Sequence, residues 1–255
     1  MRTRLNGRFW AGGLGGLGLL LLPVTATHAA PILKVTSGSN TVTVQDNGAG
    51  DTDPTPGVIH FAGPVAGFDV VDIRGGSNSP GALLASGPMR DAGMLQLESV
   101  DARNSSGTRQ ALDIVFGDTG FLPALTNNTL SSSVGLTMIG ATQGDGVTFQ
   151  SYYDPTNAAP GRTSPYTTGP QTATASGDQI TQAYSSTANT SLPSPVSSSS
   201  PFSLTQYLGL NVSPLSEVNL SGTTAANTST PEPGSLALLG LGAAAVLGRR
   251  RRKNG

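Results

Sequence analysis

The chain of 255 residues contains no cysteine. A disulfide framework, a thiolate metal site and a cysteine nucleophile are thereby excluded. Beyond the first thirty residues a single histidine remains, His60. One imidazole cannot build a two-histidine zinc site within one chain, and His60, between Ile59 and Phe61, reads as a strand residue facing solvent or a neighbour. No Gly-x-Ser-x-Gly elbow occurs, nor a glycine-rich phosphate loop closing in Lys-Ser or Lys-Thr. Glutamate is scarce, with only Glu98 and Glu217 between Ala30 and Thr230, so paired-carboxylate chemistry on sugars has no recognisable motif. Helix-period segments long enough to cross between parallel strands are lacking, as are repeats of the solenoid kind. These absences together lead to the expectation of a non-enzymatic protein.

Charge is also sparse, at 11% of residues, and it is unevenly divided. Between Ala30 and Thr230 stand six bases and fourteen acids, a net charge of −8, while the other bases crowd the two ends. An acidic body repels nucleic acid and suits solubility or cation binding. At the N-terminus Arg2, Arg4 and Arg8 precede an apolar stretch from Trp10 to Leu22 and a breaker followed by small residues. This is the pattern of a secretory signal peptide over residues 1–29, which implies the Sec translocon and a signal peptidase as partners. Cleavage is expected after Ala29, with cuts after Ala30 or Ala26 as alternatives.

The body, residues 30–222, reads as strands. Apolar and polar residues alternate in Thr41 to Val44, Leu95 to Glu98, Leu112 to Phe116 and Val147 to Gln150, and over Phe202, Leu204, Gln206, Leu208, Leu210 and Val212. Such alternation turns one face of each strand toward a common core. Phe68 to Ile73 is apolar on both faces and is expected to be central. Turn clusters separate the runs at Asp46-Asn47-Gly48, Gly75-Gly76-Ser77-Asn78, Asn104-Ser105-Ser106-Gly107 and Gly144-Asp145-Gly146. The expected fold class is all-β, an antiparallel β-sandwich of jelly-roll-like type. Residues 154–201, rich in Ser, Thr and Pro, are expected to form a long surface loop with a short strand near Gln179 to Tyr184. Val218 and Leu220 are expected to end the domain, and residues 223–229 to form a flexible linker.

Within the body the most suggestive constellation is Asp46, Asn47, Asp51 and Asp53. Acids alternating along a glycine-rich loop can present oxygens to calcium, with Asp118 as a remote further ligand. The competing reading is that the same residues end a strand and build turns, the usual work of Asp, Asn and Gly. Tyr152, Tyr153 and Tyr166 are candidate stacking platforms for a carbohydrate or adhesion partner. Six Asn-x-Ser/Thr triplets, at Asn104, Asn127, Asn189, Asn211, Asn219 and Asn227, follow from a composition rich in those residues.

The last stretch, residues 230–255, has three parts. Pro231, Glu232 and Pro233 form an acid bracketed by prolines, residues 235–248 carry no charge, and Arg249, Arg250, Arg251, Arg252 and Lys253 close the run. Each leucine at the centre of a membrane helix favours lipid by roughly 0.3 to 0.6 kcal/mol, yet the apolar run is shorter than the ~20 residues of a stable span. Arginines cost about 2.5 to 3.5 kcal/mol at the bilayer centre, so the basic block stays on the cytoplasmic side and the Pro-Glu-Pro tripeptide on the far side. The prolines hold that tripeptide extended. In these residues the chain resembles the PEP-CTERM proteins, bacterial exported proteins whose tails are read by an exosortase. The resemblance implies transient anchoring in the inner membrane through residues 235–248, removal of the tail, and delivery to the cell surface or an extracellular matrix with exopolysaccharide. A label of ice-binding C-terminal domain at times attached to such tails implies no ice binding. A permanent C-terminal anchor with a basic flank is the alternative.

Overall fold

A computed structural model describes residues 30–79, 93–122, 129–158, 160–192 and 201–227. The signal peptide expected over 1–29 and the tail from Thr230 onward lie outside the described residues. Thirteen strands follow one another: β1 Ile32–Ser37, β2 Asn40–Gln45, β3 Val58–Ala62, β4 Phe68–Ser77, β5 Gly93–Asn104, β6 Gln110–Phe121, β7 Thr129–Ala141, β8 Gly146–Asp154, β9 Tyr166–Thr167, β10 Gln171–Thr174, β11 Gln179–Ser191, β12 Phe202–Val212 and β13 Glu217–Asn227. Among the described residues there is no helix, hence none long and apolar enough to cross a membrane.

All pairings are antiparallel and fall into two sheets. The first runs β10-β8-β12-β6-β1-β2, with β9 also on β8, and the second β11-β7-β13-β5-β4-β3. Alternation explains why they face each other. Phe202, Leu204, Leu208, Leu210 and Val212 of β12 are buried in one apolar cluster with Leu95, Leu97, Val100 and Ala102 of β5. Two glycines let the sheets approach. A Cβ on Gly75 would lie 2.9 Å from the Phe116 ring, and one on Gly222 would lie 2.8 Å from the ring of Phe149. Polar bridges cross the same space. Gln206 Nε2 donates to the carbonyls of Leu95 and Gly222 at 3.2 and 3.3 Å, and the Ser151 and Thr224 hydroxyls meet at 2.5 Å. Buried groups paired in this way fix one register, because a slip would leave them without partners.

Four expectations need correction. Gly75, Gly76 and Ser77 belong to β4 rather than to a turn, glycine being what the Phe116 ring requires there. Phe68 to Ile73 lies inside the sheet but buries one face, a register irregularity between Phe68 and Val70 leaving Val70 exposed. The stretch 154–201 is not one loop, since it supplies β9, β10 and a thirteen-residue β11. Its strands sit at sheet edges, where small polar side chains suffice and no apolar rhythm is needed. Finally, Thr223 to Asn227 is not linker but the end of β13, paired with both β5 and β7, with Thr224 and Ala226 fully buried.

The two ends of the molecule differ. At one, which we call the tied end, β5–β6, β7–β8, β10–β11 and β12–β13 are joined by residues 105–109, 142–145, 175–178 and 213–216. Asp145, fully buried, gathers them: it accepts from the Ser213 amide (2.9 Å) and hydroxyl (2.7 Å), the Thr142 amide (2.9 Å) and Ser216 Oγ (3.1 Å), and is ion-paired with Arg109 Nη2 (2.9 Å). Asn104 adds a second tie, donating to the carbonyls of Thr108 and Val212 at 2.9 and 2.8 Å. At the other, the tail end, the connections 46–57, 78–92, 122–128, 155–165 and 192–201 are longer, and there β13 hands the chain on to the C-terminal stretch.

Candidate functional site

The outward side chains of the second sheet follow from its register. Asp72 of β4 stands opposite Asp101 of β5, Asp101 opposite Asn219 of β13, and Asn219 opposite Thr137 of β7. The next row includes Ser221 and Gly135. A concavity of about 460 Å³ lies here, lined by Glu98, Ser99, Asp101, Thr137, Asn219 and Ser221 among others. Together with Leu136, Leu220 and Tyr184 these side chains form a shallow surface that mixes hydrogen-bonding and apolar groups.

Asp101 is its most perturbed member. Burial, then the negative charges of Glu217 and Asp72, raise its carboxyl above the usual aspartate value. Its Oδ1 is buried and has no hydrogen-bond partner. Like charges directly opposite each other across a sheet are unfavourable, so this position is kept at some cost in stability. Nearby, the Asn219 amide is held by Glu217 Oε1 at 2.8 Å. The face can accept hydrogen bonds from a ligand rich in hydroxyls. Sequence reading missed Asp101, Glu98 and Asn219 because their meeting depends on pairings between distant strands. The one local signal was a pair of acids on β5, Glu98 and Asp101, whose spacing of three puts both outward only through the break in alternation at Glu98 and Ser99.

The predicted calcium loop takes the turn-building form. Asn47 adopts φ 55° and its amide donates to Asp51 Oδ2 at 2.8 Å. Asp51 Oδ1 accepts from the amides of Asp53 and His60, both at 3.0 Å, and Asp46 Oδ2 accepts from the Gly57 amide at 2.9 Å. Asp53 accepts from the Thr55 amide at 2.9 Å and pairs with Arg74 at 2.5 Å, and its carboxyl lies below the usual range, chiefly through the Thr55 hydrogen bonds. These carboxylates are thus turned toward backbone N–H groups and an arginine instead of toward a common centre. Among the described residues, no three His, Cys, Asp or Glu side chains are grouped to hold a metal ion. Asp118, buried, binds the Ser77 hydroxyl at 2.6 Å and the Thr119 amide at 2.7 Å.

His60 has both ring nitrogens engaged, Nδ1 with Thr52 Oγ1 at 2.7 Å and Nε2 with Asp72 Oδ1 at 3.0 Å. Of the three tyrosines, Tyr153 is fully buried against Phe202, their centroids 4.8 Å apart, and burial pushes its phenol up to about 12. It is a core residue and not a stacking platform. Tyr152 is nearly buried, its hydroxyl donating to Gln150 Oε1 at 2.9 Å, while Tyr166 packs edge-on to Tyr153. The sorting residues Pro231 to Pro233 and Arg249 to Arg252, and Ala29 at the expected cleavage site, lie outside the described residues.

Comparison with known proteins yields one family model, the PEP-CTERM protein-sorting motif, matching residues 229–253. No curated protein matches the chain. Among solved structures, a chain from the infectious bursal disease virus Gx strain is similar at 11% identity and a TM-score of 0.25, covering 80% of this chain and 54% of that one. The VP2 subviral particle of that virus gives 11% and 0.27, covering 84% and 53%, so this chain spans about half the length of either viral chain. A structure reported under "CBM4 structure and function" gives 12% and 0.21, covering 50% and 83%.

Proposed function

With the PEP-CTERM sorting motif as the premise, we propose that the chain is an exported, non-enzymatic bacterial surface or extracellular-matrix protein. The motif itself indicates exosortase-dependent sorting of an exported protein. The Sec translocon delivers the chain, signal peptidase removes residues 1–29, and residues 235–248 hold the product in the inner membrane while Arg249 to Arg252 stay cytoplasmic. The exosortase acts at the extended Pro231-Glu232-Pro233, and the domain passes to surroundings that include exopolysaccharide. The observation that carries this reading is the motif's position, beginning two residues after Asn227, where the last strand ends.

As cargo, the domain is a β-sandwich of jelly-roll type. Support comes from strand order: β5-β13-β7-β11 lie side by side in one sheet and β6-β12-β8-β10 in the other, while β5, β6, β7 and β8 alternate between sheets in sequence. A second reading, a carbohydrate-binding or adhesion module, is favoured by the concavity around Asp101 on the outer face, where Tyr184 stands beside hydrogen-bonding groups.

Mass spectrometry of the protein from its own cells, with and without the exosortase, tests the sorting. Expected is a chain that begins near Ala30 and ends before Arg249 in the wild type, and that keeps the arginine block in the deletion strain. An untrimmed C-terminus in both strains would establish a permanent anchor instead.

A further inference from the structure

Among the described residues, β2 and β10 close the ends of the first sheet, and β3 and β11 those of the second. Three of these edges are short. β2 and β10 run six and four residues. β3 runs five, and the connection before it lies along its edge: the His60 carbonyl accepts from the Thr52 amide at 2.9 Å, and the His60 amide donates to Asp51 Oδ1 at 3.0 Å. β11 differs in every respect. It is thirteen residues long, and its register with β7 runs without a bulge from Gln179 opposite Ala141 to Ser191 opposite Thr129. It contains no charged residue and no proline. From Thr181 to Ser191 no residue is buried, exposed and half-buried positions alternating along the whole run. Charges, prolines, bulges and covering loops are the devices that keep an open edge from pairing with another chain, and along these residues β11 has none of them.

We propose that the β11 edge is a pairing surface for a second copy of this chain. The two β11 strands run antiparallel across a two-fold axis, and the two six-stranded sheets join into one of twelve strands. A two-fold contact sets each side chain against one from the same strand. There is no charge in β11, in β7 behind it or in β10, which adjoins it in the facing sheet, so symmetry brings no like charges together. Asp178 stands just before the strand, and antiparallel pairing holds the two copies of it at opposite ends, roughly 44 Å apart at about 3.4 Å per residue. The side chains match as well. β7 already meets β11 with Ser131, Ser133 and Gly135 opposite Asn189, Thr187 and Ser185. A second β11 presents the same small hydroxyl and amide groups, which pair favourably across strands. A strip about 44 Å long and about 10 Å deep buries roughly 900 Å² over the two copies, below the ~1,200 Å² at which stable complexes begin. The pair is therefore a weak one, formed where the chain is concentrated, and it does not depend on how the chain is sorted.

The absence of cysteine makes the test direct. Single cysteines replace in turn each residue from Thr181 to Asn189, and Thr43, exposed on the edge strand β2. A two-fold axis sets one residue of β11 opposite its own copy, within reach of a disulfide. Full-length chains in detergent micelles are oxidised and the covalent dimer is measured, while sedimentation velocity follows the wild type as its concentration is raised. Expected are a dimer that grows with concentration and cross-linking that peaks at one position of β11, several-fold above Thr43→Cys. Ala183→Lys combined with Thr187→Lys sets like charges across the axis and is expected to weaken the dimer several-fold with the melting temperature unchanged. Should these lysines lower the melting temperature, the cross-linking profile alone decides. A monomer at every concentration overturns the pairing, as does cross-linking equal on β11 and β2. A dimer that survives both lysines, with a flat profile along β11, places the contact elsewhere and overturns it too.

Discussion

At the tied end, connections of four or five residues are too short to satisfy their own backbone groups, and Asp145 does it for three of them at once. At the tail end the connections run from seven to fifteen residues. Each doubling of loop length costs only about 0.6 kcal/mol in closure entropy, so length there is cheap while a lost tie at the other end is not. The comparison teaches that short connections share one buried acceptor, whereas a longer one at the other end keeps its polar bonds largely to itself, as Asp46, Asp51 and Asp53 do within 46–57.

The comparison is tested most severely by moving the domain boundary. Ending the chain after Gly222, where sequence reading placed it, strips Thr223 to Asn227 from between β5 and β7 and is expected to abolish the cooperative unfolding transition. Ending after Asn227 is expected to leave the melting temperature unchanged, so the open end tolerates removal only beyond its last paired residue. Far-ultraviolet circular dichroism on melting decides between them. At the tied end, Asp145→Ala removes the acceptor of the buried Ser213 amide and of the Thr142 amide, while Arg109 keeps the Gln143 carbonyl. A loss of about 1 to 3 kcal/mol is expected in urea unfolding, the cost of leaving a buried donor without its acceptor. A loss below about 1 kcal/mol would remove the claim that this carboxylate organises the end.

The smallest effect sharpens the comparison by probing a flaw in the tied half. Asp101 has a raised folded-state pKa, so the native state binds its proton more tightly than the unfolded chain does. Its contribution is therefore present below the unfolded value of about 3.9 and lost as pH rises through the raised folded value. Asp101→Asn is expected to stabilise the protein by a few tenths of a kcal/mol at pH 7, with the gain vanishing below about pH 4. Should the variant also lose retention on the native exopolysaccharide, the binding-module reading gains; retention unchanged favours the purely structural one.

Much of the fold was legible because its interior strands obey the simplest rule. In β12 the six positions expected on one face are all buried, including Gln206. What was not legible has particular causes. Gly75 and Gly76 look like a turn until the Phe116 ring across the core is known. The edge strand β11, Gln179–Ser191, contains no charge and few apolar residues, and its pairing to β7 is visible only in three dimensions. The end of β13 is a run of Thr and Ala that small-residue packing buries. As for the candidate site, the tail motif was readable as a contiguous signal, whereas the Asp101 face depends on register among β4, β5, β13 and β7.

One property of β13 reaches beyond the folded state. It is the last strand of the domain and also a middle plank of its sheet, without which the halves β3-β4-β5 and β7-β11 have nothing to join them. A polypeptide threaded N-terminus first through a narrow pore has to remain open until it is across. Because this keystone arrives last, the architecture itself delays closure, and on the export route proposed above completion of the cargo and presentation of its address would be set by a single stretch of eleven residues.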